Sequence, residues 1–358
     1  MFPVFLLLLL FSALLREYNQ NGVDIVCRDE NGNAVDWYYL YKLPKDYSKY
    51  ESENGKSNGL RYLYISSATA SLGWKLSERT IDDATSFPGR TLSNLLNNPD
   101  IVFIAYNDEP PQSPVDFENG HTKGVIGADS KSGIWLIHSV PKYPDISAYN
   151  YPQTGAHYGQ SFLCLSFNAS QIDLVGKQQI FNEPNIYHSQ IPDGLREAFP
   201  NLVKAVNQEW QKEAPYWNYE TLETRGRVKF ASFAKGRKFR KELYEDWVAP
   251  TLGAGLLVES WRHGPGVLPS NCTRKQHVSN VEWIEHSTLS INFPSTRDHS
   301  KWCVAENIKD TWICVGDINR AEHQLLRGGG TVCQLNNKMS TAYRNLVSEI
   351  EPCPIPVK

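Results

Sequence analysis

Two short triplets could do chemistry together: His121-Thr122-Lys123 and His299-Ser300-Lys301. Each is followed by a Trp-led apolar stretch, Trp135-Leu136-Ile137-His138-Ser139 after the first and Trp312-Ile313-Cys314-Val315-Gly316-Asp317-Ile318-Asn319 after the second. The blocks stand about half a chain length apart, which reads as duplicated halves facing one another. In a strand, residues i and i+2 share a face, so each triplet presents an imidazole beside an ammonium. Phosphodiester cleavage needs a nucleophile, a proton donor for the departing oxygen and positive charge around the phosphoryl oxygens. Two His-x-Lys units supply all three without a metal. One imidazole attacks phosphorus, the other gives a proton to the leaving oxygen, and Lys123 and Lys301 hold the phosphate. A single such triplet would be an ordinary solvated strand face; the pairing is what points to a site. His138 and Asn319 follow the second strand of each block and are candidates to orient the phosphate, with Asp317 and Asp298 as supporting acids.

These residues need strands to carry them. The patterns predict strands over Val35 to Lys42, Tyr62 to Ser66, Ile101 to Tyr106, His121 to Ala128, Ile134 to Val140 and Ser161 to Phe167. Further short strands are expected around Val281 to Ile284, Leu289 to Phe293, Lys301 to Val304 and Thr311 to Val315. Helices are expected over residues 193 to 212, from Arg237 to Val248 and near Ser340 to Glu349, from apolar spacing near 3.6. No low-complexity linker interrupts the chain, so the halves must pack tightly.

The chain of 358 residues is 41% hydrophobic and rich in aromatics, which excludes a disordered or low-complexity protein. A net charge of −3 argues against a constitutively polycationic nucleic-acid binder. Nine histidines change that in acid, where full protonation would bring the charge to about +6. Residues Phe2 to Leu15 are almost wholly apolar and too short to span a bilayer, so residues 1–20 read as a signal peptide, although a basic start and a small-x-small cleavage site are missing. No later stretch reaches spanning length. Seven dispersed cysteines without a C-x-x-C pair suggest three disulfides and a spare thiol in an oxidising lumen, with the pairing left open. Asn168-Ala169-Ser170 and Asn271-Cys272-Thr273 are glycosylation sequons.

At the His-x-Lys blocks the chain resembles the phospholipase D superfamily, which carries two such motifs on a pseudo-two-fold α/β scaffold. Across its length it is similar to the animal deoxyribonuclease II family. The resemblance rests on Val35-Asp36-Trp37, Tyr41-Lys42-Leu43-Pro44, Tyr106-Asn107-Asp108, Gly120-His121-Thr122-Lys123-Gly124 and His138-Ser139-Val140-Pro141. It continues through Leu268-Pro269-Ser270-Asn271-Cys272, Asp298-His299-Ser300-Lys301-Trp302-Cys303, Gly316-Asp317-Ile318-Asn319-Arg320 and Gly328-Gly329-Gly330-Thr331. It implies a mixed α/β fold with a phospholipase D-like half over residues 27–190 and another over 191–358, the active site lying between them. It implies a lysosomal acid endonuclease acting on double-stranded DNA without a metal or other cofactor, leaving 3′-phosphate and 5′-hydroxyl ends through a phosphohistidine. It gives His121, His138 and His299 as functional histidines and Lys123 and Lys301 as phosphate ligands. Disulfides Cys27 to Cys164, Cys272 to Cys353 and Cys314 to Cys333 follow from the same resemblance, with Cys303 unpaired. By analogy with superfamily members, the first motif, His121, attacks and His299 is the acid.

The superfamily motif places an Asp five residues after the Lys; here Asp129 lies six beyond Lys123 and Glu306 five beyond Lys301, so neither can be assigned by spacing. A neutral and a charged imidazole working together predict a bell-shaped pH dependence. DNA would be held by a patch made of Arg225-Gly226-Arg227-Val228-Lys229 and Lys235-Gly236-Arg237-Lys238-Phe239-Arg240-Lys241. The rival readings are a phosphodiesterase acting on lipid head groups and a catalytically silent luminal polyanion-binding glycoprotein; a metal-dependent nuclease has no ligand cluster in its favour. The oligomeric state, a homodimer included, stays open, and export leaves both lysosomal and secreted destinations.

Overall fold

Alternation along one strand shows how the chain is layered. Trp37, Tyr39 and Tyr41 enter one hydrophobic core, whereas Tyr38 and Leu40 enter another on the opposite face. A strand covered on both sides has no polar face to show, which is why these segments read as near-continuous apolar and aromatic runs. Each large side chain so enclosed is worth roughly 1.5–3 kcal/mol of transfer free energy.

The computed structural model describes residues 24–48 and 58–354; the expected signal peptide lies outside the described residues. After a hairpin of β1 (Cys27–Arg28) and β2 (Ala34–Val35) come two large sheets. The first holds β3 (Trp37–Lys42), β4 (Tyr62–Ser66), β5 (Lys75–Leu76), β6 (Val102–Asn107), β7 (Lys123–Ala128), β8 (Ser132–His138), β9 (Gln160–Asn168) and β10 (Ile186–Gln190). Its spatial order is β10-β6-β7-β8-β9-β3-β4-β5, antiparallel throughout. The second holds β11 (Trp217–Glu223), β12 (Lys229–Lys235), β13 (Leu256–Glu259), β14 (Val278–His286), β15 (Ile291–Pro294), β16 (Trp302–Ala305), β17 (Trp312–Gly316), β18 (Gly329–Leu335) and β19 (Val347–Ile350). Its path is β11-β12-β18-β17-β16-β13-β14-β15, with β19 against β14. The fold is thus mixed α/β, and the central orders β6-β7-β8-β9-β3 and β13-β16-β17-β18-β12 correspond, which puts the two His-x-Lys triplets at equivalent places, leading into β7 and β16.

The inner faces of both sheets share one core. Into it go Ile172 and Val175 of the helix Ala169–Asn182, which follows β9, and Met339, Ala342 and Tyr343 of the helix Asn337–Arg344, which follows β18. The outer face of the first sheet is covered by Phe87 and Leu92, among others, and that of the second by Tyr244, Trp247 and Val248.

The expected strands are present, with ends shifted by up to three residues. The expected helices differ more. Residues 193 to 212 form two short helices, Asp193–Arg196 and Pro200–Val206, because Pro200 starts a new helix where it would interrupt a long one. The Arg237 to Val248 stretch keeps only a wide turn at Tyr244–Val248, continued by Ala249–Leu252. The last helix lies earlier, at Asn337–Arg344, where the Asn336 side chain accepts the amides of Lys338 and Met339; Val347–Ile350 became a strand. The longest helix among the described residues, Ala169–Asn182, has no clear signal in the sequence, because polar Gln178 and Gln179 are buried on it and blur the apolar stripe; Gln178 is satisfied by Ser232.

The disulfides are Cys27–Cys164, Cys272–Cys353 and Cys314–Cys333, and Cys303 is a buried free thiol. Such crosslinks belong to an oxidising lumen or to secretion. Asn168 is exposed, and Asn271 is half-buried with its side-chain oxygen taken by Thr273. Among the described residues, no helix is long and apolar enough to cross a membrane.

Candidate active site

Each triplet histidine is held by the half of the molecule to which it does not belong. The main-chain N–H of His121 donates to the carbonyl of Gly328 (2.9 Å), and its Nδ1–H to that of Asp317 (2.7 Å). Reciprocally, the main-chain N–H of His299 donates to Gly159 (2.9 Å) and its Nδ1–H to Ser139 (2.9 Å). A carbonyl only accepts, so Nδ1 carries the hydrogen in both neutral rings and each Nε2 keeps a free lone pair. Both imidazoles line one cavity of about 390 Å³. Ser139 and Asp317 follow the ends of β8 and β17, so the two-fold relation extends to the carbonyls that orient the rings.

Glycine makes these close approaches possible. A Cβ on Gly328 would lie 2.2 Å from the carbonyl oxygen of Asn182, and one on Gly159 would lie 2.3 Å from Oδ1 of Asp298.

Lys123 and Lys301 are buried and, unlike the two histidines, do not line that cavity. Lys123 pairs with Asp108, while the Lys301 ammonium donates to the carbonyl of His299. Burial, with Lys123 nearby, lowers the Lys301 pKa to about 7. Burial is also the main cause holding both imidazoles well below their ordinary pKa, reinforced by Lys123 for His121 and by Lys301 for His299.

The supporting residues divide. Asn319 lines the cavity, its Oδ1 accepting the main-chain N–H of Trp261 (3.2 Å). Asp317 serves through its carbonyl; its carboxyl is buried, and burial raises its pKa to about 8. Asp298 turns away from the imidazole and accepts from the Tyr41 hydroxyl and from the amide and hydroxyl of Ser300, shaping the turn that delivers His299. His138 does not reach the cavity wall. Its Nδ1 accepts the Val140 N–H (3.2 Å), and its ring packs against Tyr143 and Phe162. Asp129 caps the β7–β8 turn through Lys131 and Ser132, and Glu306 is exposed, so neither orients a histidine.

Other residues take that part. Asp108, just after β6, bonds Lys123 and Arg327 (3.1 Å) and stands 3.8 Å from His121 Nε2. Arg327 also grips the carbonyls of Asp116 and Asn119, tying a loop of the first half to the second. Trp261 packs edge-on to His299, ring centroids 5.1 Å apart. The sequence held a signal for Asp108, an acid closing the strand beside the first triplet, and for Arg327, which precedes three glycines; Trp261 carried none.

The proposed basic patch is split. The seven-residue strand β12 separates Arg225–Lys229 from the run that begins at Lys235, a distance of roughly 20 Å at ~3.4 Å per residue. Lys235 is buried and donates to the carbonyls of Gln324 and Arg327, just as Lys42, at the equivalent place on β3, donates to those of Ala156 and Tyr158. Both lysines pin loops that build the site. Arg237 is paired with Glu183, leaving Lys238, Arg240 and Lys241 exposed.

A family model described as Deoxyribonuclease II matches residues 26–353. The chain is 37% identical over 339 residues to a deoxyribonuclease-2-beta of Homo sapiens, covering 92% of each chain. It is 37% identical over 337 residues to a deoxyribonuclease-2-alpha of Sus scrofa, covering 92% of this chain and 91% of that one. To a deoxyribonuclease-2 of Caenorhabditis elegans it is 34% identical over 364 residues, covering 94% and 96%.

Proposed function

The chain belongs to the deoxyribonuclease II family and is a hydrolase that acts as a deoxyribonuclease, and from that premise we propose that it cleaves double-stranded DNA in acid, without a metal, through a histidine-bound phosphate. The observation that carries this reading is the reciprocal clamp, which leaves two Nε2 lone pairs on one cavity, with two buried lysines near enough to act on both rings. In the first step one neutral Nε2 attacks phosphorus, the bond to the 5′ oxygen breaks, and that oxygen takes the proton of the other imidazolium. In the second, the imidazole now neutral takes a proton from water, the hydroxide attacks phosphorus and the P–N bond breaks. The products are a 3′-phosphate and a 5′-hydroxyl, and the donor imidazolium is restored.

The roles divide on one asymmetry. Asp108 stands 3.8 Å from His121 Nε2, and among the described residues no carboxylate oxygen lies within 4.0 Å of a His299 nitrogen. Lys123, Arg327 and Lys301 oppose a proton on His121, but of the two rings only His121 has a carboxylate beside its Nε2, so in this reading His121 carries the proton and His299 attacks, the reverse of what superfamily analogy implies. The acid requirement has a cause in the burial of both rings. With pKa values below the ordinary, a proton donor forms only as pH falls through that lowered value, and the rate fades again once both rings are charged.

The phospholipase D-like kinship, the boundary near residue 190, glycosylation at Asn168 and Asn271, and residence in the lysosome belong to the same proposal, supported by the disulfides and the sequons. His138 in this reading backs Lys123 from the neighbouring strand.

The test is plasmid cleavage at pH 5 in excess chelator by the wild type, His121→Ala and His299→Ala, with 5′ ends labelled by kinase without prior phosphatase. Cutting by the wild type alone, with directly labelled ends, is the expected result. Loss of cutting in chelator would remove metal independence, and hydrolysis of a lipid phosphodiester with DNA untouched would replace the substrate.

A further inference from the structure

The cavity contains more than phosphate chemistry requires. One wall carries Trp261 and His263, part of an aromatic ladder: Trp261 packs on His263 (centroids 4.5 Å apart, planes at 34°), meets the His299 ring, and is backed by Tyr158 (4.6 Å) outside the cavity lining. The rim carries Val115, Phe117 and Leu326, which are among the large hydrophobic side chains the protein leaves exposed; Phe117 is 75% exposed. A site built only for a polyanion gains nothing from exposed apolar and aromatic groups, whereas nucleobases offer apolar faces of matching size.

The ladder's main chain is tied down at two of its three members, and the third is held by its ring. The Trp261 backbone is tied to Asn319, His263 Nε2–H donates to the carbonyl of Thr296, and Tyr158 is held through its carbonyl by Lys42. Rings packed on one another and carried on a tethered main chain lose less entropy on stacking than free ones. Their place is set by the chemistry, since Trp261 touches His299, and a phosphate at His299 Nε2 has its sugar and base within the length of one nucleoside.

We propose that Trp261 and His263 form a stacking subsite for one unpaired nucleobase, belonging to the nucleotide whose phosphate the two histidines hold. This rests on the nuclease reading above and deepens it. In a duplex both faces of every base are covered by neighbours, so occupancy requires unstacking, and single-stranded or mismatched DNA reaches the subsite at lower cost. Stacking reads no sequence, because every base has a π face.

The experiment compares an oligothymidylate with an abasic oligomer of equal length, cut by the wild type, Trp261→Ala, Trp261→Phe and His263→Ala, with circular dichroism as the check on folding. Trp261→Ala is expected to lose roughly 5- to 100-fold in kcat/KM on oligothymidylate, mainly through KM. Trp261→Phe should keep most of the activity, and His263→Ala should lose less than Trp261→Ala. The abasic oligomer should be cut slowly by the wild type and no more slowly by Trp261→Ala. Equal losses on both oligomers would overturn the subsite, leaving Trp261 as a prop for His299, and so would full activity of Trp261→Ala or of both ladder variants. A wild type that cuts no DNA but hydrolyses another phosphodiester would instead bring down the nuclease reading, and the subsite with it.

Discussion

The two His-x-Lys blocks are alike in what orients the imidazole and unlike in what surrounds it. In both, a carbonyl at the end of the facing block's second strand takes the Nδ1 hydrogen, and a glycine carbonyl from the other half takes the main-chain N–H. Around His121 stand Asp108 and Arg327; around His299 stand Trp261 and Gln160, the latter with its Oε1 3.3 Å from Nδ1. The two imidazoles are thus aimed alike, and the difference between their neighbours is what the proposed division into proton carrier and attacker rests on. Since each ring is clamped from across the molecule, neither half alone holds a complete site.

The largest effects should come from separating the two roles. On DNA, His121→Ala and His299→Ala should each lose on the order of 10⁴-fold in rate. Thymidine 3′-(p-nitrophenyl phosphate) has a leaving group that needs no proton, so His121→Ala should form the phosphoenzyme on it in a burst while His299→Ala forms none. A burst from His299→Ala alone would exchange the assignments.

Asp108→Asn tests the asymmetry more gently. Without the carboxylate, His121 binds its proton less tightly, so the alkaline limb of the pH profile should move to lower pH with kcat down by about tenfold. An unchanged pH profile would reduce Asp108 to a structural partner of Lys123 and Arg327, and the comparison would lose its basis.

Asp317 and its counterpart Ser139 offer a stability contrast. The Asp317 carboxyl, raised from 3.8 to about 8 chiefly by burial, stays protonated in the folded protein where the unfolded chain would ionise. Its favourable contribution is therefore complete below about pH 4 and lost as pH rises through about 8. Asp317→Asn should raise the melting temperature by a few degrees at pH 8 relative to the wild type and change it little at pH 4. An equal shift at both pH values would show that the carboxyl is ionised in the fold.

The smallest effects belong to the basic runs at opposite ends of β12. Removing Lys238, Arg240 and Lys241 should flatten the salt dependence of DNA binding by about 0.9 in log–log slope for each phosphate that is no longer neutralised, and removing Arg227 and Lys229 should leave it unchanged. Equal slopes for the two variants would restore a single continuous patch.

The sequence by itself determined the chemical inventory and the strands that carry it. His121, Lys123, His299 and Lys301, the Trp-led strands and their two-fold relation were legible because residue type and period-two alternation are local properties. It misread Lys235 as a surface cation, since a lysine that satisfies buried carbonyls has the same letter as one in water. It assigned no role to Asp108, Arg327 or Trp261, and it placed His138 at the phosphate when the ring is enclosed by Tyr143 and Phe162. Tertiary structure alone decided which carbonyl meets which imidazole, because Asp317 and His121, or Ser139 and His299, approach one another only when the two sheets close on a shared core. No local pattern encodes the meeting of segments half a chain apart; it follows from the packing of both sheets, and that packing turns two ordinary His-x-Lys triplets into one site.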